Sequence, residues 1–495
     1  MFEELTISKF HKKLSEGTIS CSQLVDWYLK RIENFDKGKK GLNSIITINS
    51  KARSEALEKD KEFASTTSDI PPLFGVPILV KDQALTAGIR TTFGSIAFKD
   101  YVPDTDAEVV RKLREAGAII LGKTAMCDFA AGWFSSSSMT GHTSNAYNHL
   151  RDSGGSSAGS GAAVAANFCL VAVGEDTGGS IRIPASFNNC YGFRLTTGLI
   201  SRSGFSPLVH FQDTPGPMAR NVDDLTRLLN VMVGYDPNDS FTSINAARLA
   251  HTDYIKESLK EENKAWRIGI LENAFGPNEN TESAEVNRVT WAAIERMAEE
   301  GVEIKKGLVI ENIDHWISKT SVYTKVSPSD ISEFLKKLPN SPAHDFSEIY
   351  TKKLFHPEND LFDEISGAPE EPENDVEFLQ RILNQDEFRR EVLKVFQESN
   401  VDFIVCPTVR VLPPTHKELA ESRYTCLTFP TNTVVASQAG LPAISIPAGF
   451  SRDGLPIGID IIGRPLSEAY LLRFTRHVEK FLNARKKPSL THKDV

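Results

Sequence analysis

The stretch RDSGGSSAGSGAAVAANFCLVAVGEDTGGSIRIPASFNNCYGFR, residues 151–194, holds two glycine-serine loops separated by a small-residue segment and an apolar one. Glycine placed where a side chain would be costly, beside serines, lets backbone N–H groups come close to a reacting oxygen. The pattern predicts a loop at 153–157, a helix over 158–167, a strand over 169–173, a second turn at 176–180 and a helix starting near 181. We read the stretch as an active site.

On the N-terminal side, residues 5–36 predict two helices, 43–49 a strand and 51–63 a charged helix. Residues 76–80 form a short apolar run that ends on Lys81, which predicts a buried strand delivering a lysine at its tip. A helix follows at 105–116, then a strand at 118–121. The loop FAAGWFSSSSMTGHTS, 129–144, mixes aromatics with small polar residues and offers Trp133 and Phe134 as a pocket wall. On the C-terminal side, 195–220 reads as loop and 222–234 as helix. Charged helices then dominate 238–398 (282–300, 330–337 and 376–400), with one clear strand at 266–271 and an acidic loop at 368–377. Strand patterns resume at 402–408, 441–450 and 454–463, before a closing helix over 467–483. Strands at both ends of the chain around a helical block predict one large α/β unit. We divide it into a helical N-terminal segment (1–70), an α/β core (71–237 and 399–495) and a mainly helical insertion or cap (238–398).

The chain has 495 residues, with 40% hydrophobic and 24% charged residues, as expected of a globular protein. Its 56 basic and 65 acidic residues leave a net charge of -9 and no basic block, so nucleic acid is not an expected partner. The first residues lack the apolar core of a secretory signal, and no apolar run is long enough to span a bilayer. The expected location is cytoplasmic, with no membrane partner. The six cysteines form no CxxC pair and read as buried thiols of a reducing compartment; the histidines form no HExxH or HxH group, so no metal or other cofactor is expected.

Two familiar patterns are set aside. Gly117, Gly122, Lys123 and Thr124 satisfy GxxxxGKT, but the pattern follows a helix and its interior reads as a strand, which makes Lys123 an ordinary loop residue. Gly155, Ser157 and Gly159 satisfy GxSxG, yet the residues before them are polar and turn-forming. A nucleophile elbow follows an apolar strand.

VKD at Lys81, GGSS at 154–157 and DTGGSIRIPASF at 176–187 together resemble the amidase signature family of serine hydrolases. LNSIITIN (42–49), AGAIILGKT (116–124), GLPAISIPAGF (440–450) and GLPIGIDIIGR (454–464) extend the likeness over most of the chain. The resemblance implies a large mixed β-sheet flanked by helices on both faces, with a helical insertion, and a Ser-Ser-Lys triad. In that triad Ser180 is the nucleophile. Ser156, reached through a cis peptide from Gly155, bridges it to Lys81. The amides of Thr177, Gly178, Gly179 and Ser180 form the oxyanion hole, and Ser157, Asp176 and Arg182 hold the two loops. The chemistry is coherent in its own terms. A serine needs a base, no histidine lies near either loop, and a lysine can serve once burial and hydrogen bonding render it neutral.

The expected function is hydrolysis of a small-molecule carboxylic amide, with esters or carbamates also open. The alternative is an A-type subunit of a glutamine-dependent amidotransferase complex, and a homodimer is left open. IRIP at 181–184 differs from the IRQP usual in such subunits, and Ala125 stands where the family usually has asparagine. Trp133, Phe134, Tyr191 and Phe211 are the candidate substrate-pocket residues.

Overall fold

The computed structural model describes residues 2–38, 40–65, 69–247, 252–262 and 265–490. Thirteen strands are present among them: β1 (Ile45–Ile48), β2 (Pro77–Lys81), β3 (Ile119–Thr124), β4 (Ser144–Asn145), β5 (Asn148–Asp152), β6 (Val171–Glu175), β7 (Tyr191–Arg194), β8 (Pro215–Ala219), β9 (Arg267–Leu271), β10 (Glu303–Leu308), β11 (Phe403–Pro407), β12 (Ala443–Phe450) and β13 (Pro456–Ile462). Eleven of them make one sheet in the order β1-β3-β2-β6-β8-β7-β12-β13-β11-β9-β10, while β4 and β5 pair separately. β3, β2 and β6 are parallel neighbours, as are β11, β9 and β10; the strands between β6 and β11 alternate in direction. This is the large mixed α/β sheet expected.

Helices cover both faces. Successive residues of a strand point to opposite sides. A side chain at Gly192 of β7 would meet Ile181 and Ala185, beside the helix Arg182–Phe187. Its neighbour Tyr191 points the other way and bonds Glu479 on the closing helix Glu468–Leu482. β2 is an inner strand between β3 and β6, and its burial at every position means that both of its faces are covered.

The N-terminal helices form as expected, Ile7–Ser15 and Cys21–Phe35, the second opened by a capping box of Ser20 and Gln23. The segment 1–70 also supplies an edge strand, since β1 pairs antiparallel with β3. The segment 238–398 likewise supplies β9 and β10, which continue the main sheet, besides the helices Thr281–Glu299, Tyr323–Lys337 and Val376–Ser399.

Three expectations are corrected. The strand expected at 169–173 lies at Val171–Glu175, because Phe168 still bonds back to Ala163 of the preceding helix. Lys123 is not a loop residue: β3 continues through Thr124, and Lys123 is fully buried, bonded to Thr91 Oγ1 (2.9 Å) and 3.7 Å from Asp82. Residues 215–219, read as loop, form the central strand β8. Pro215 and Pro217 argue against a central strand because proline cannot donate to a ladder. Here the ladder with β7 involves only Met218 and Ala219, so neither proline is called on to donate to it.

Candidate active site

The tips of parallel β2 and β6 deliver Lys81 and Glu175 side by side. Lys81 Nζ is 2.8 Å from Ser156 Oγ, 3.2 Å from the Glu175 carbonyl and 3.4 Å from Glu175 Oε2, and all three side chains are fully buried. Burial pushes the Lys81 pKa down, and the Glu175 carboxylate opposes that shift without cancelling it.

The first glycine-serine loop joins β5 to the helix Ala158–Ala165, and its Gly155–Ser156 peptide is cis. Ser157 ties this loop to its neighbours: its Oγ donates to the Glu175 carbonyl (3.1 Å) and accepts from the Glu175 amide (3.2 Å), while its own amide donates to the Ser180 carbonyl (3.0 Å). An elbow nucleophile would not be held in this way.

The second loop, 176–181, is shaped by its carbonyls. Arg194 and Gln212 (2.7 Å) bond the Thr177 carbonyl, and Arg194 also takes that of Asp176. Among the described residues, the N–H groups of Thr177, Gly178, Gly179 and Ser180 donate to no protein acceptor, whereas those of Asp176 and Ile181, on either side, do. Four successive free amides are a cradle for a negatively charged oxygen. Gly179 sits at φ +151 with Thr433 Oγ1 only 2.1 Å from where a Cβ would stand, a position closed to other residues. Ser180 is 1% exposed.

Beneath the loop lies a buried charge network. Asp176 accepts from Arg182 (3.1 and 3.2 Å) and Arg194 (3.1 Å), and Arg182 also reaches Asp460 (2.7 Å) and Ser437 (2.7 Å). Burial alone would raise the Asp176 pKa; the two guanidinium groups override it and hold it at about 2. Arg182 thus fixes the start of its helix against β13.

Of the four candidate pocket residues, Trp133 stands against the cradle. Its indole donates to the Cys426 carbonyl (2.6 Å), and its ring comes within 2.3 Å of a Cβ placed on Gly178. Phe134 is buried edge-on against Phe429 (5.0 Å). Phe211 is half-buried and lines a cavity of about 360 Å³ with Gln212, Gln385 and Ser437. Tyr191 lies on the far face of the sheet.

Several residues of the site carry no obvious sequence signal. Glu175 was hidden by the two-residue displacement of β6. Asp213 accepts from Thr177 Oγ1 (2.6 Å), whose hydroxyl is also 3.3 Å from Glu175 Oε1; burial and then the Glu175 charge push the Asp213 pKa well up. Tyr323 belongs to the segment 238–398. Its buried hydroxyl has no hydrogen-bond partner and lies 2.2 Å from a Cβ placed on Gly178.

The amidase family model matches residues 23–472. The A subunit of glutamyl-tRNA(Gln) amidotransferase from Prochlorococcus marinus is 33% identical over 500 residues, covering 97% of this chain and 98% of that protein. The structure of native peptide amidase from Stenotrophomonas maltophilia superposes with a TM-score of 0.85 at 28% identity, over 99% of each chain. That of the glutamyl-tRNA(Gln) amidotransferase A subunit from Thermotoga maritima gives 0.75 at 25%, also over 99% of each. The chain belongs to the amidase signature family. Among its described residues, no helix is long and apolar enough to cross a membrane.

Proposed function

We propose that this amidase-family chain cleaves a carboxylic amide through an acyl-enzyme on Ser180. The observation that carries the reading is the 2.8 Å contact between Lys81 Nζ and Ser156 Oγ, buried beside the Ser180 loop with its four free amides.

In the reaction Ser180 Oγ attacks the carbonyl carbon, its proton passes to Ser156, and the Ser156 proton passes to the lone pair of neutral Lys81. The carbonyl oxygen becomes an oxyanion facing the amides of residues 177–180. Collapse of this intermediate breaks the C–N bond, and the same relay returns the proton to the leaving nitrogen. Water then attacks the acyl-enzyme by the same route and releases the acid. Losing one oxyanion donor typically costs about 100- to 1000-fold in rate. Trp133 and Tyr323 form the wall beside the reacting carbonyl, and the Tyr323 hydroxyl is available to the substrate.

Two settings fit this chemistry. The A-type component of an amidotransferase, with glutamine as the amide cleaved, draws support from whole-chain relatives 31% to 33% identical that carry that name, and they weigh more for it than for the stand-alone enzyme. Stand-alone hydrolysis of a small-molecule amide draws support from the TM-score of 0.85 to peptide amidase, against 0.75 to the amidotransferase component. Ammonia release from glutamine, with and without added candidate partner subunits, is compared with release from an amidated peptide and an aryl amide. Glutaminase activity that depends on partners assigns the amidotransferase setting; turnover of the other amides by the chain alone assigns the second. Fluorophosphonate labelling read by mass spectrometry is expected on Ser180. A label on Ser157, or undiminished turnover by Ser180→Ala, overturns the mechanism.

A further inference from the structure

Outside this site, residues 142–152 and the distant His416 bring two histidines and an acid together. One ligand atom each of His142, Asp152 and His416 lie within 4.8 Å of one another. The two imidazole rings are 4.7 Å apart between centroids, and Glu358 Oε2 is 3.3 Å from His142 Nε2. The arrangement is poorly satisfied by the protein itself: His142 Nδ1 and both ring nitrogens of His416 are shielded from solvent yet make no well-formed hydrogen bond, and Glu358 Oε2 has only its contact with His142. Buried polar atoms normally find partners, and three imidazole nitrogens without one in one place call for a bound species. Asp152 is the opposite case. Ser135 holds its Oδ2 (2.6 Å from the hydroxyl, 3.2 Å from the amide) and Gly154 its Oδ1 (2.7 Å), the outer hydrogen bonds that orient a ligating carboxylate.

We propose that His142, Asp152 and His416, with Glu358 completing the set, form a binding site for a divalent transition-metal ion, of which Zn²⁺ suits the donors best. Two imidazoles and two carboxylates favour such an ion over Mg²⁺ or Ca²⁺, which take oxygen. Tetrahedral zinc with bonds of about 2.0 to 2.1 Å sets its donors about 3.4 Å apart, so the His142, Asp152 and His416 donors, within 4.8 Å of one another, close by up to about 1.4 Å on binding. The histidine and Glu358 side chains are 23% to 26% exposed, which leaves the ion a way in. Because Asp152 also holds the Gly154 amide, the ion would brace the loop that presents Ser156. The site is independent of which amide the enzyme cleaves.

The test uses the full chain, stripped with chelator and titrated with Zn²⁺ alone. One equivalent bound, with a rise in melting temperature, is expected for the wild type, and binding at least about tenfold weaker for the His142→Ala/His416→Ala variant. No bound equivalent in the wild type, or unchanged binding in the variant, overturns the proposal. Should the variant fail to fold, Co²⁺ in the wild type decides: a visible band of tetrahedral nitrogen and oxygen ligation supports the site, and a thiolate charge-transfer band, which places the ion on a cysteine, refutes it.

Discussion

Lys81 and Lys123 sit at the ends of neighbouring strands, fully buried, one register step apart: Val80 pairs with Lys123 and Lys81 with Thr124. Burial lowers both pKa values, that of Lys123 to about 8. What separates them is the face of the sheet. Lys81 shares its face with Thr124, which bonds Ser160 of the helix behind the serine loops, and so meets Ser156. Lys123 points the other way, to the Ala84 carbonyl, Thr91 and Asp82. A depressed lysine pKa is therefore not evidence of catalysis. In the proposed mechanism the hydroxyl it faces, and the loop that hydroxyl serves, make the difference.

This contrast can be broken in order of effect. Lys81→Met is expected to lower kcat/KM on any accepted amide by about 10⁴-fold or more, the scale of losing one member of a catalytic unit, while circular dichroism keeps the wild-type spectrum. Lys123→Met is expected to keep turnover within about threefold and to lose about 3 kcal/mol of stability in urea, because Asp82 is left buried without its counter-ion. An inactive but stable Lys123 variant would invert the assignment.

The same pair differs in its response to pH. Between about pH 8 and 10.5 an unfolded chain keeps the Lys123 proton that the folded one has released, so stability rises with pH across that window. The Lys123→Met variant should show a smaller rise, having lost the Lys123 share, when urea midpoints are compared at pH 8 and pH 10. Glu175→Gln sharpens the other side. The carboxylate raises the Lys81 pKa and the base must be neutral, so removing its charge is expected to move the acid limb of kcat/KM to lower pH. A limb that stays in place means that Glu175 does not set the base. The smallest effect is expected from Tyr323→Phe: one lost hydrogen bond to substrate, about 3- to 10-fold in kcat/KM, seen mainly in KM.

The same distinction marks how far the sequence could be read. The candidates Lys81, Ser156 and Ser180 came from the resemblance carried by VKD, GGSS and DTGGS; the structure sets Lys81 and Ser156 2.8 Å apart, and the apolar run 76–80 forms the buried strand expected. Lys123 was misplaced because GKT looks like a turn when the strand partner that fills it, β1, is unknown. β8 was missed because its prolines obey a rule that holds only where both neighbours pair along the whole strand. Glu175 and Tyr323 were out of reach: the first needs the strand end to the residue, the second a contact between positions 178 and 323 that no local pattern encodes. His142 and His416 are invisible for the same reason, being 274 positions apart.

The network beneath the second loop also bears on how the molecule is made. Arg182 leaves the ribosome long before Ser437 and Asp460, its partners at 2.7 Å. Until they follow, a guanidinium destined for the interior has only part of its counter-charge, and the loop holding Ser180 has no fixed seat. The proposed reacting groups all lie in the first 180 residues, but the loop that holds Ser180 gains its buried counter-charge only once the last strand of the sheet is synthesised, so a chain truncated before β13 is expected to carry those groups without the network that seats them.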